Sequence, residues 1–425
     1  MTDVCVLGLG TIGLPTAVMF ASCGDRVVGV DTNAAVRNSV NAGEIGTEEP
    51  GLQELLRQVL AAGRLVASDT VLEADAFVVA VPTPLTPDHR PELSTVVEAC
   101  GMVAPRLRPG NLVVVESTVP PGATETAIAG ALEVSGLRAG KDFFLAHCPE
   151  RVLPGAILRE IVENSRIVGG IDAESAQRAV QLYGAFVKGD IQVTDASTAE
   201  MAKLAENTYR DVNIALANEL ARVAERAGVN VWRVIELANN HPRVDLHLPG
   251  PGVGGHCIPV DPWFLAASAP EEVQLIPASR RINDAQPRLV ARRVADMVGH
   301  RRGAKVALLG ASYKADVADS RKTPALDIID ELEQAGLTVA LHDPLVRNLP
   351  HPLVTLESAL TGADIAVLVV NHRAFESMDP EHVGRLMRTR VIFDTRNCLV
   401  VEHWKSAGFQ VSVLGIGVPA QAISG

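Results

Sequence analysis

Val4-Cys5-Val6-Leu7-Gly8-Leu9-Gly10-Thr11-Ile12-Gly13 decides how this chain folds. The four apolar residues suit a strand buried on both faces, and they run directly into a glycine turn. An apolar helix follows to near Gly24, and a second strand, Arg26 to Val30, closes on Asp31. Strand, glycine turn, helix, strand and acid in that order form the dinucleotide fingerprint in its proper context. Gly8 permits the tight turn, Gly10 lets backbone approach a pyrophosphate, and Gly13 allows the helix to pack closely on the strand. Thr11 and Ile12 complete that phosphate-binding turn. Asp31 accepts hydrogen bonds from the adenosine ribose hydroxyls and repels a 2′-phosphate, which selects NAD over NADP.

Outward from this unit, short apolar runs recur at α/β spacing: near Leu65-Val66-Ala67, Ala76 to Val81, Leu112 to Val115, Phe143-Phe144-Leu145 and Arg166-Ile167-Val168. Their unbroken apolar character predicts a mostly parallel sheet covered by helices on both faces. Ligands of such sheets sit beyond the carboxyl ends of the strands, so Thr83 and Thr118, just past two of those ends, are expected to face the nicotinamide. His147-Cys148-Pro149-Glu150-Arg151-Val152-Leu153-Pro154-Gly155 is a third strand-end loop.

Thr194 to Gly228 reads as one long helix, with Asp195 or Ser197 as its N-cap and Gly228 as its stop. Lys203 and Asn207 are one turn apart on the same face. After Arg301-Arg302-Gly303 the strand and helix rhythm restarts at Lys305 to Gly310, which predicts a second Rossmann-like domain. Its first turn lacks the full glycine set, so a different ligand is expected there. Tyr313, Lys314, Arg321 and Lys322 gather the polar and cationic groups that an anionic nucleotide needs.

Pro249 to Pro262 holds four prolines besides its glycines, which forbids a long helix or a central strand and predicts a fixed irregular loop. At its centre stands the thiol of Cys257, with the Asp261 carboxylate four residues on. That pairing suits covalent catalysis, although free cysteines more often serve as small buried hydrophobes.

A length of 425 residues exceeds what one core normally serves. We expect an NAD-binding Rossmann domain at 1–194, a central helical domain with the cysteine loop at 195–299, and a second Rossmann-like domain at 300–425. The six cysteines lie without paired spacing, and no N-terminal targeting pattern or membrane-length apolar run of about 20 residues occurs, which points to a reduced, cytoplasmic protein. The formal charge of −12 argues against nucleic acid and anionic membranes as partners. His241, His247, His256 and Cys257 share one region but lack zinc spacing, so no metal is expected.

Taken together, Gly8 to Gly13, Glu116 to Gly122, Cys148-Pro149-Glu150, the Lys203 and Asn207 helix, Gly254 to Asp261, and Tyr313-Lys314 through Arg321 resemble the nucleotide-sugar 6-dehydrogenases along essentially the whole chain. Gly254-Gly255-His256-Cys257 looks like the UDP-N-acetylhexosamine branch. Asn207 to Asn213, His241-Pro242-Arg243-Val244 and Asp261-Pro262-Trp263-Phe264 are most similar to the UDP-N-acetyl-D-mannosamine dehydrogenases within it.

The resemblance implies a four-electron oxidation of a primary alcohol to a carboxylate with two NAD+ in succession. Cys257 would hold the intermediate aldehyde as a thiohemiacetal and then a thioester. Lys203 and Asn207 would stabilise the oxyanions, Asp261 would accept or orient a proton, Thr118 would hold a water, and Glu150 would be the base for hydrolysis. Arg321 is implied at the cofactor; Glu150, Arg151, Lys203, Asn207, Arg210, Arg243, Gly254, His256, Tyr313 and Lys314 are implied at the UDP-sugar. Arg243 resembles the arginine that family members present to the substrate, in some cases from a neighbouring subunit, which implies a homodimer or higher oligomer joined through the Lys203 helix region. The chain departs from the family at Arg321-Lys322-Thr323-Pro324, where relatives usually carry an acid in place of Lys322. The same chemistry on UDP-N-acetylglucosamine or UDP-glucose, and a two-electron hydroxyacid dehydrogenase, are the competing readings.

Overall fold

A computed structural model describes residues 2–46 and 49–417. The chain forms two compact units. The first runs to Glu206 and adds Trp263–Glu271; the second comprises Asn207–Pro262 and the chain from Glu272 onward.

The first unit is built on an eight-stranded sheet: β1 (Asp3–Leu7), β2 (Arg26–Val30), β3 (Leu65–Ser68), β4 (Ala76–Val79), β5 (Leu112–Val115), β6 (Phe144–His147), β7 (Arg166–Gly170) and β8 (Ile191–Asp195). Their order is β3-β2-β1-β4-β5-β6-β7-β8, and every pair is parallel except β6 with β7. The chain leaves β1 toward β2 and β3, then returns to place β4 on the other side. That reversal opens a crevice at the carboxyl ends of β1 and β4. Leu7 stands level with both Val30 and Val79, so these strands finish together. Along β4, Ala76 and Val78 face one core cluster while Phe77 and Val79 face the other. This explains why the strand reads as continuously apolar: both faces are covered.

The second unit holds a fully parallel sheet of β9 (Lys305–Leu309), β10 (Thr338–His342), β11 (Ile365–Leu368), β12 (Val391–Asp394) and β13 (Gln410–Val413), in the order β10-β9-β11-β12-β13. It repeats the switch-point design, with β9 at the reversal. Thus the expected architecture of two doubly wound sheets is present, and the long helix spans Ala196–Ala227. Asp195 caps it, accepting Thr198 N–H at 2.8 Å and the Thr198 hydroxyl at 2.7 Å, and Gly228 ends it at φ +70°. Among the described residues no helix is long and apolar enough to cross a membrane.

Three details differ from the sequence expectation. The apolar run read at Phe143-Phe144-Leu145 shifts to Phe144–His147, because His147 pairs with Val115 in register. Strands β8 and β13 lie at sheet edges, and their partly exposed residues show no apolar run to read.

A buried polar hub joins the strand ends of the first unit. Glu116, just past β5, accepts from Tyr183 Oη at 2.7 Å, Thr16 Oγ1 at 3.0 Å and Arg166 Nη1 at 3.3 Å. Arg166 also donates to Glu150 at 2.9 Å and lies over the Tyr183 ring, 4.6 Å from its centroid. Burial pushes the Glu116 carboxyl above its ordinary range, against the pull of Arg166.

Candidate functional site

The glycine turn after β1 fits a dinucleotide phosphate. Gly8 sits at φ +91°, where a Cβ would lie 2.5 Å from Ala80 O, and a Cβ on Gly13 would lie 1.8 Å from Gly8 O. Both must be glycine for the turn itself. Gly10 is different: among the described residues a Cβ there would meet no atom within 4 Å beyond its own chain neighbours, so the space beside it is open to a ligand. The helix Gly13–Ser22 has no side-chain cap and no acid in its first turn, so the positive end of its dipole faces the turn at Thr11 and Ile12 with no carboxylate competing for it. Asp31 is fixed by Leu9 N–H on one oxygen at 2.9 Å and by Asn33 N–H on the other at 2.8 Å. Each oxygen keeps acceptor capacity for ribose hydroxyls.

At the ends of β4 and β5, Ser117 Oγ donates to Val81 O and accepts Val81 N–H, at 2.8 and 2.9 Å. Thr83 Oγ1 donates to Thr118 O at 2.7 Å. The Thr118 hydroxyl in turn accepts from Lys203 Nζ at 2.5 Å. Lys203 is buried, at 6% exposure. His147 ends β6 and is almost fully buried; burial first, then the Lys203 charge, holds its imidazole down to about 3, so it stays neutral.

Glu150 and Arg151 follow in the next loop. Glu150 accepts Arg151 and Val152 N–H with Oε1, at 2.6 and 2.9 Å, and Arg166 with Oε2. Arg151 forms a bidentate pair with Glu206 and donates to Ser165 O at 3.2 Å. Trp263 stacks on His89 with ring centroids 4.4 Å apart.

In the second unit the thiol loop is pinned at its start, where Gly250 N–H donates to Asn218 at 2.9 Å and Gly250 O accepts from Gln286 at 3.1 Å. It then lies on the turn after β9. A Cβ at Gly254 would stand 2.7 Å from both Lys322 O and Tyr313 Cβ, and one at Gly255 would stand 3.1 Å from the Tyr313 ring. Gly255 N–H donates to Arg321 O at 2.9 Å. Cys257 and His256 are therefore carried on the surface that also presents Tyr313 and Arg321. Burial raises the Tyr313 phenol, and negative charge at Asp319 and Cys257 adds to the shift. The Arg321 guanidinium grips Asp319 and its pKa is raised, first by that bond, with Cys257 contributing. Lys322 sits in the left-handed region at φ +48°.

Cys257 is half-buried, and its carbonyl accepts Val260 and Asp261 N–H at 3.0 and 2.8 Å. Asp261 is 2% exposed and accepts from Asn207 Nδ2 at 2.6 Å. Lys314 is half-buried, while Arg210 and Arg243 are exposed. The second unit thus gathers Cys257, His256, Tyr313 and Arg321 on one loop and turn, and pairs Asn207 with Asp261. The first gathers Thr83, Thr118 and Lys203. Sequence reasoning missed His147, Glu116, Arg166, Tyr183 and Glu200, whose partners lie far along the chain.

Comparison with known proteins decides the family. Residues 2–187 match the NAD binding domain of the UDP-glucose/GDP-mannose dehydrogenase family, residues 197–285 its central domain, and residues 307–401 its UDP binding domain. The chain belongs to the UDP-glucose/GDP-mannose dehydrogenase family. It is an NAD-dependent dehydrogenase, and the open turn at Gly10 belongs to the family's NAD binding domain. A UDP-N-acetyl-D-mannosamine dehydrogenase of Methanococcus maripaludis is 43% identical over 97% of both chains. An NDP-N-acetyl-D-galactosaminuronic acid dehydrogenase of Ralstonia solanacearum is 45% identical over 92% of this chain and 95% of its own. The solved structure of a UDP-D-ManNAc dehydrogenase from Pyrococcus horikoshii superposes with a TM-score of 0.91 at 43% identity, covering 98% of this chain and 99% of that one.

Two outcomes are expected from this geometry. Gly10→Val should fold with unchanged thermal stability yet weaken NAD binding by about tenfold or more, measured by calorimetry, because only the ligand meets the new side chain. Unaltered affinity would remove Gly10 from the cradle. The second concerns His147, which binds a proton near pH 6.5 when unfolded and near 3 when folded. Between those values the unfolded state holds the extra proton, so stability is full above the higher value and is lost as pH falls toward the lower. The slope is roughly 1.4 kcal/mol per pH unit. Denaturant unfolding at several pH values should show His147→Asn with a shallower acid limb, and parallel limbs would refute the assignment.

Proposed function

We propose that this chain oxidises the C6 hydroxyl of UDP-N-acetyl-D-mannosamine to the carboxylate, through a thiohemiacetal and a thioester on Cys257. The observation that carries this reading is the seating of the thiol loop on the Tyr313 and Arg321 turn, at the first turn of the family's UDP binding domain. The names of the Methanococcus and Pyrococcus relatives support the sugar.

In this reading Gly8, Gly10, Thr11, Ile12, Gly13, Asp31, Thr83, Thr118 and Arg321 serve the cofactor. NAD+, when bound, supplies the hydride acceptor for each oxidation. Removal of the hydroxyl proton and a hydride from C6 gives the aldehyde. Cys257 Sγ then adds to the aldehyde carbon, its oxygen taking a proton. Loss of that proton and a second hydride leaves the thioester, and water cleaves it to release the carboxylate and the thiol. Lys203 and Asn207 stabilise the oxygen that becomes negative, and Asp261 takes or orients the proton. Glu150 is the candidate base for hydrolysis, with Thr118 holding the water. Arg151, Arg210, Arg243, Gly254, His256, Tyr313 and Lys314 hold the UDP-sugar. The division at 1–194, 195–299 and 300–425 follows these duties, and a reducing cytoplasm keeps Cys257 a thiol.

The Ralstonia relative, at 45% identity, favours a second reading with an N-acetylgalactosamine-type sugar; UDP-N-acetylglucosamine and UDP-glucose remain further alternatives. A panel of these nucleotide sugars should give two NADH and a uronate with the mannosamine compound, and much less with the others. Equal turnover of UDP-glucose would defeat the sugar assignment. One NADH per sugar and a stable carbonyl product would point instead to a two-electron dehydrogenase. Cys257→Ser should abolish complete oxidation while leaving NAD affinity within about twofold.

Tyr209, Leu216 and Val223 recur every seven residues on the long helix and are 51%, 43% and 59% exposed, which supports a homodimer through this helix. Replacing Leu216 and Val223 by Asp should convert the dimer to monomer by light scattering. A monomeric parent protein would refute the assembly.

A further inference from the structure

Glu200 lies on the long helix one turn before Lys203, and its side chain is buried at 1% exposure. A carboxylate taken so far from water must be met by donors. Among the described residues its donors come from one turn, the one following Thr118. Oε2 accepts Gly122 N–H at 2.5 Å, while Oε1 accepts Thr124 N–H at 2.8 Å and the Thr124 hydroxyl at 2.5 Å. Gly122 is held at φ +86°, and Thr126 Oγ1 donates to Gly122 O at 2.7 Å, so the turn has a defined shape for the carboxylate to grip. Thr124 also opens the helical segment Thr124–Ile128, whose first amides favour a negative partner. Burial raises the Glu200 carboxyl, and the bonds from Thr124 and Gly122 pull against that rise.

The same stretch of backbone is fixed at its other end, where Thr83 Oγ1 donates to Thr118 O. Between these two anchors the Thr118 side chain meets Lys203 Nζ at 2.5 Å. The helix therefore grips the loop twice within one turn: once through Glu200, which has no part in the reaction described above, and once through Lys203, which does.

We propose that Glu200 is a positioning residue, clamping the Gly122–Thr124 turn to the helix so that the Thr118 hydroxyl is held on Lys203. This rests on the reading of Lys203 as the group that stabilises the reacting oxygen. A hydrogen bond of this kind is sensitive to small displacements, and a shift of about 1 Å in a reacting group can cost about a hundredfold in rate. An amide in place of the carboxylate would face at least one donor with another donor, loosening the turn without emptying the site.

The test is a double-mutant cycle on the full-length enzyme, with kcat and KM for the nucleotide sugar and NAD affinity measured on each variant. Glu200→Gln should lower kcat by about tenfold or more while KM and NAD affinity stay within about twofold. In the Thr118→Ala background the same change should have almost no further effect, because the contact it positions is already gone. Losses that multiply in the double variant would overturn the proposal. Thr124→Val removes one donor from the clamp and preserves the packing volume, so it carries the same test should Glu200→Gln fail to fold. A lower kcat that Thr118→Ala masks is expected, and an unchanged kcat would overturn the proposal. Lys203→Met separates the two ideas. Full turnover by that variant would overturn the reading of Lys203 and this proposal together, whereas lost turnover combined with multiplying Glu200 and Thr118 effects overturns this proposal alone.

Discussion

Parallel strands finish on the same edge of a sheet, and that constraint governs where this protein places its polar groups. The apolar runs must stop somewhere, and the stops of four strands carry the polar or turn-forming residues of the site: Gly8 after β1, Thr83 after β4, Glu116 to Thr118 after β5, and His147 to Arg151 at the end of β6. Because β1, β4 and β5 end level, these residues converge without any requirement that they be near in sequence. Chemistry is concentrated at one edge, and the remainder of the sheet is free to be covered by helices.

Convergence of polar groups carries an energetic difficulty, which the hub around Glu116 resolves. A buried carboxylate with one partner removed commonly destabilises a protein by about 3–5 kcal/mol. Here Tyr183, Thr16 and Arg166 all reach Glu116, and Arg166 reaches Glu150 as well. The loop carrying Glu150 and Arg151 is thus fastened to the sheet interior by an ion pair shielded from solvent and salt. Glu49 fastens its far end, accepting Gly155 and Ile157 N–H at 2.8 and 2.7 Å.

Much of this was legible in the sequence where spacing alone fixes geometry. The glycine turn, Asp31, and the long helix from its Asp195 cap to Gly228 are local features, each decided within a few residues. The family and its cofactor followed from several such motifs standing in order. What could not be read were the partnerships. Arg166 lies 50 residues from Glu116, Tyr183 lies 67 away and Thr16 lies 100 away, and nothing in any one segment announces the others. Edge strands β8 and β13 escaped for the opposite reason, since partial exposure erases the apolar signal that marks a central strand. The burial of Lys203 could not be read either, because helical periodicity tells which face a residue occupies but not what covers that face.

The thiol loop and the Tyr313 turn are in contact so close that neither has room to change by itself. Gly254 and Gly255 lie within a methyl group's reach of Tyr313, and the peptide of Gly255 is tied to Arg321. They behave as two halves of one casting, although nearly sixty residues separate them in the chain. Anyone transplanting the cysteine segment into a relative, to move its sugar preference, must therefore carry the tyrosine and its neighbours along with it. A graft limited to residues 249–262 would bring Cys257 without the mould that shapes its loop.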